Sequence, residues 1–141
     1  MENILHHAHS GIAYLVLITL VIAVINAFMG LSSKRIFKGS DRKIGLFALI
    51  FSHIQIVLGL ILYFTSPKVV EFSVAMKDSM LRLYALEHPL INIIGIVLIT
   101  IGWSKHKKMT SDKGKFKSFA IYYTIGLVLI LSRIPWAEWF A

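Results

Sequence analysis

The chain has 141 residues, 57% of them hydrophobic, no cysteine and a formal charge of +8. A mean hydropathy of +0.74 is too apolar for an ordinary soluble domain, and the length allows one compact membrane domain, 1–141. Lack of cysteine excludes disulfides, iron–sulfur clusters, zinc knuckles and c-type haem attachment. The positive charge lies in two short stretches between apolar runs, which fits membrane topology and anionic lipid rather than nucleic acid.

Four apolar runs, about 4–31, 44–65, 81–103 and 116–134, each approach the ~20 residues that cross a bilayer core. Unsatisfied backbone groups are not tolerated in lipid, so each run is expected to be a helix. The result is an all-α, up-and-down transmembrane four-helix bundle.

Met1-Glu2-Asn3 is not basic and no small-residue cleavage site closes the run that follows, so the first span is expected to stay in the mature protein. Helical spacing from His9 gives Ala13, Val16, Leu20, Ala23 and Ala27, a face with several small residues. Ser10-Gly11 beside His9 lets a bulky group approach the backbone. The connection 32–43 carries Lys34, Arg35, Lys38, Arg42 and Lys43.

The second span has His53 near its middle, followed by Gln55. His53 borders a small face of Gly45, Ala48, Ser52 and Gly59. Ser66-Pro67 ends this helix, since the residue before proline avoids the helical region. The stretch 65–80 reads as a polar outer loop, mildly amphipathic from Val69 onward.

The third span carries Glu87-His88-Pro89 near its start. Pro89 marks either the first turn of this helix or a kink in one that began near Asp78. Helical steps from His88 give Asn92, Gly95, Ile99 and Gly102, a polar and small stripe facing protein or a flat cofactor. The connection 104–117 holds Lys105, Lys107, Lys108, Lys113, Lys115 and Lys117, and His106 within it reads as a solvated residue. The fourth span ends near Arg133, with Trp136 and Trp139 fitting an outer interfacial belt and Trp103 an inner one. The positive-inside rule puts both basic connections in the cytoplasm and both termini on the outer, periplasmic side.

An intramembrane histidine is expensive to bury and usually has a task. His9, His53 and His88 fall on three different spans. The first and third spans are diagonal in a sequential bundle, and His9 and His88 both lie in their outer parts. Two imidazoles opposed across a core suit the two axial positions of haem iron. His53 lies deeper and either pairs with His88 or stands alone. Arg82 and Arg133, near the outer surface, suit the haem carboxylates; the alternative for Arg133 is a snorkelling interfacial residue. The three histidines could instead form a copper, zinc or non-haem iron site, although no thiolate, inward carboxylate pair or methionine-rich motif favours that. Glu87 points to another helix face and reads as an interfacial charge.

His9-Ser10-Gly11, the run His53-Ile54-Gln55 through Gly59 to Tyr63-Phe64, Met76-Lys77-Asp78-Ser79, Arg82 with Glu87-His88, and Ile134-Pro135-Trp136 resemble a family of small bacterial four-helix membrane proteins labelled cytochrome B. The resemblance covers essentially the whole chain. It implies one or two b-type haems, with His9, His53 and His88 as the candidate ligands. A more distant likeness is to one half of haem A synthase, whose glutamate-containing catalytic motif is not matched here.

The expected function is electron transfer by a haem-binding cytochrome of the bacterial inner membrane, a carrier or subunit rather than a stand-alone enzyme. Expected partners are the bilayer, a quinol or a larger respiratory complex, and, as a further option, a second copy in a homo-oligomer. The competing readings are a non-redox accessory or assembly subunit of a larger membrane complex, or a metal- or haem-handling membrane protein.

Overall fold

The computed structural model describes residues 2–139, which contain helices and no strand. In chain order these are α1 (Glu2–Ser33), α2 (Gly39–Thr65), the single turn α3 (Phe72–Ala75), α4 (Ser79–Lys108), α5 (Asp112–Ser132) and the single turn α6 (Trp136–Trp139). The four long helices are apolar and long enough to cross a bilayer, so most of their large aliphatic side chains can face outward. Helix α1 packs on α2 and α5, and α4 packs on α5 and α2. Therefore α1 and α4 oppose each other across one diagonal.

Small residues set how closely the helices approach. A Cβ on Gly126 of α5 would stand 2.8 Å from the carbonyl oxygen of Gly95 on α4, so these two backbones touch. A Cβ on Gly45 of α2 would meet the Phe119 ring at 2.6 Å. The Tyr123 hydroxyl, fully enclosed, donates to Gly45 O at 2.8 Å and ties α5 to α2 through the core. The buried positions Val16, Leu20, Ala23 and Ala27 on α1, and Gly95, Ile99 and Gly102 on α4, are those of the expected faces.

The helices start earlier or run longer than their apolar cores because polar caps extend them. Helix α2 begins at Gly39 because the Asp41 carboxylate accepts from Lys38 N at 2.8 Å. The same carboxylate is buried among Asn26, at 2.8 Å, and Arg35, at 2.6 Å, while Arg35 also donates to Asn26 Oδ1. A buried carboxylate requires such a matched set. Ser111 caps α5 by accepting from Gly114 N, and Asp112 accepts from Phe37 N at 2.9 Å, which joins the two basic connections at one end of the bundle.

His106 is not solvated. It lies in the last turns of α4, 2% exposed, with its ring against Phe37, Trp103 and Phe119 and its Nδ1 donating to Trp103 O. Trp103 is likewise buried in the bundle, with Arg42 and Lys107 over its ring. The lysines around His106 extend outward while the imidazole completes an aromatic plug.

At the other end, α4 starts at Ser79, capped by Asp78, and passes through a π-helical stretch, Leu83–Glu87, before Pro89. Of the two sequence options, Pro89 therefore belongs to a helix that has already begun. Proline has no N–H to give to Ala85 O, four residues back, and the widened turn accommodates its ring. The Tyr63 hydroxyl donates to Ala85 O at 2.8 Å in its place. Tyr63→Phe should leave that buried carbonyl unsatisfied and destabilise the bundle by about 1–3 kcal/mol. Thermal unfolding in detergent checks this; an unchanged midpoint would show that another donor satisfies Ala85.

Candidate functional site

His9 sits in the second turn of α1, on the face that continues into Val16 and Leu20. His88 follows the π-helical stretch of α4, where the extra residue per turn changes the direction in which the next side chains leave the helix. The two rings meet across the α1–α4 diagonal with centroids 6.2 Å apart and planes at 88°.

The His88 ring is held from behind, and His9 is held through its backbone. His88 Nδ1 lies 2.8 Å from Arg133 O, the carbonyl that ends α5. A carbonyl only accepts, so Nδ1 carries the proton and Nε2 of the neutral ring keeps a lone pair. Asn92 Nδ2, 3.2 Å from the same nitrogen, donates instead to His88 O at 2.6 Å. On α1, His9 O accepts from Gln55 Nε2 at 2.8 Å. His9 Nδ1 and Gln55 Oε1 are both buried without a hydrogen-bond partner. Gly59 lies under the His9 ring, where an added Cβ would stand 3.2 Å from Cε1.

Both histidines line a cavity of about 490 Å³ between α1, α2, the start of α4 and the end of α5. That size and its mostly aliphatic wall are those of a small-molecule site. Its polar mouth is formed by Ser66, Lys68, Tyr84 and Glu138. Lys68 pairs with Glu138 at 3.2 Å and lies over the Tyr84 ring. Trp139 of α6 closes one side, its ring 4.6 Å from that of Tyr14.

A metal bonded to one nitrogen of each ring at about 2 Å would hold the two centroids about 6 Å apart, which is the spacing here. Among the described residues no group of three or more His, Asp or Glu side chains could hold an ion by itself. Two imidazoles alone would suit a metal that arrives with its other ligands already in place.

The remaining sequence candidates lie elsewhere. His53 is exposed on α2 and bonds Thr100 Oγ1 of α4 at 3.0 Å, outside the His9–His88 pair. Arg82 pairs with Glu87 and approaches Met76 O. The Arg133 guanidinium turns back to Ser132 O, and neither arginine lines the cavity. Arg133 enters the site through its backbone carbonyl alone. His6 and His7, exposed on the first turns of α1, line the cavity's edge. Sequence reasoning missed Lys68, Tyr84 and Glu138, which are far apart in the chain. The Pro67 helix stop and the Pro89 disturbance were the only signals that chain segments gather there.

Comparisons with protein-family models, curated proteins and solved structures return no match. The geometry makes its own prediction: ¹⁵N NMR of histidine-labelled protein should show His88 as the Nδ1–H tautomer. An Nε2–H signal for His88 would contradict the bond to Arg133 O.

Proposed function

We propose that this chain is a b-type cytochrome of the bacterial inner membrane, holding one haem between His9 and His88. The observation that carries the reading is the ring pair itself. Two imidazoles from diagonal helices stand with ring centroids 6.2 Å apart and planes at right angles, on the wall of a largely apolar cavity. Bis-histidine ligation needs opposed helices, and four-helix bundles build such sites from facing side chains.

Two features of the surroundings support it. His88 Nδ1 is committed to Arg133 O, which leaves Nε2 as the ligating nitrogen, the usual arrangement for a histidine bound to metal. His9 Nδ1 and Gln55 Oε1, both buried and unpartnered on residues joined by the Gln55 Nε2–His9 O bond, are the complementary donor and acceptor that would fix the same tautomer there. Gly59 keeps the space beside His9 open.

Haem supplies reversible one-electron chemistry when bound. The protein's own contribution is to orient both imidazoles, exclude water with aliphatic side chains and meet the carboxylates of the prosthetic group. Lys68, beside Tyr84 at the polar mouth, suits that last task better than Arg82 or Arg133, which lie outside the cavity. The basic end, by the positive-inside rule, is cytoplasmic, which puts the histidine pair near the outer face. The haem would then exchange electrons between a quinol or larger respiratory complex and an outer-side partner.

Purified protein should contain iron near one atom per chain and show a Soret band and a reduced α-band. His9→Ala and His88→Ala should each abolish or shift both bands, and His53→Ala should leave them in place. Loss of the bands in His53→Ala alone would move the ligand assignment to α2. Absence of any band in the unaltered protein would favour a non-redox accessory subunit.

A further inference from the structure

His53 sits near the middle of α2, where the bilayer offers no water to satisfy a polar group. Its Nε2 lies 3.0 Å from Thr100 Oγ1, and the single Thr100 hydroxyl proton is already given to Ile96 O at 2.8 Å. Thr100 must therefore accept, so His53 Nε2 carries the proton and Nδ1 of the uncharged ring is an acceptor. No described residue donates to that nitrogen, and the ring is exposed. It opens on a groove of about 410 Å³ between α2 and α4 whose other walls are Ile56, Val57, Ile96, Val97, Thr100 and Ile101. One free hydrogen-bond acceptor in a groove whose other polar group, the Thr100 hydroxyl, is already engaged by His53 and Ile96 O specifies a ligand with an apolar body and one well-placed donor.

We propose that this groove binds the head group of a membrane-dissolved hydroquinone, one phenolic hydroxyl donating to His53 Nδ1 and the ring lying between Val57 and Val97. The depth of His53 selects that class. Phospholipid head groups stay at the interface, whereas an isoprenoid hydroquinone moves within the hydrocarbon core. A two-fold related copy whose axis passed through His53 would not complement the site, because its own His53 would bring a second acceptor to face the first. Ile56 and Ile96 line both this groove and the His9–His88 cavity, so the bound ring would be one layer of side chains from that cavity. The proposal does not depend on what fills the cavity, since it concerns binding alone.

The test uses the full chain in lipid nanodiscs under dithionite, titrated calorimetrically with naphthohydroquinone and with its dimethyl ether, which keeps the rings and lacks donors. The hydroquinone should bind about fivefold to tenfold more tightly, the effect of one hydrogen bond. His53→Leu should erase that preference. Thr100→Val, which keeps the imidazole but releases its Nε2–H, should reduce it, and serves if His53→Leu does not fold. Equal affinity for the two probes in the unaltered protein, or a preference that survives His53→Leu, overturns the proposal. So does a Val97→Cys variant that forms a disulfide-linked dimer in its native membrane, because the groove would then be covered by a second copy.

Discussion

The contact between His9 and His88 is the constraint around which the half of the bundle away from the basic connections is arranged. Neither imidazole belongs at membrane depth unless something else is satisfied by its presence. All four long helices contribute to holding the pair. Helix α1 supplies His9, α4 supplies His88, α5 ends on the carbonyl that orients His88, and α2 brings Gln55 and Gly59 to His9. A shift of any helix by one turn would separate the rings or lose a supporting bond.

The two ends of the bundle do different things. The basic end is sealed. Asn26, Arg35 and Asp41 satisfy one another, and His106 fills a cluster of Phe37, Trp103 and Phe119. The seam of Gly95 and Gly126 then keeps α4 close to α5 part-way along. Beyond that seam the chain departs from regular geometry. The π-helical stretch, Pro89 and the substituting Tyr63 bond change the course of α4, and the cavity lies beside them. A well-packed end supplies core burial that leaves the other end free to shape a cavity between the helices.

Much of this was legible in the sequence. Four runs of bilayer length, the small faces on α1, α2 and α4, and the diagonal relation of the first and third spans follow from spacing and composition. Helix ends were less so, because hydropathy sees only the apolar core of a span. Asp41 and Ser111 extend α2 and α5 through capping bonds that a hydropathy window does not register. His106 was read by its lysine neighbours, although Trp103 at helical spacing marked the face it shares. Lys68 and Glu138, which meet at the cavity mouth, are 70 residues apart, half the length of the chain. Nothing local to either residue indicates the other, so only the fold brings them together.

The most direct test of the two-histidine account is the electron paramagnetic resonance spectrum of the oxidised, purified protein. The near-perpendicular planes of His9 and His88 predict a low-spin ferric signal of the strongly anisotropic type given by crossed imidazoles. A high-spin ferric signal, from iron held by one imidazole, would show that the facing rings do not share a metal.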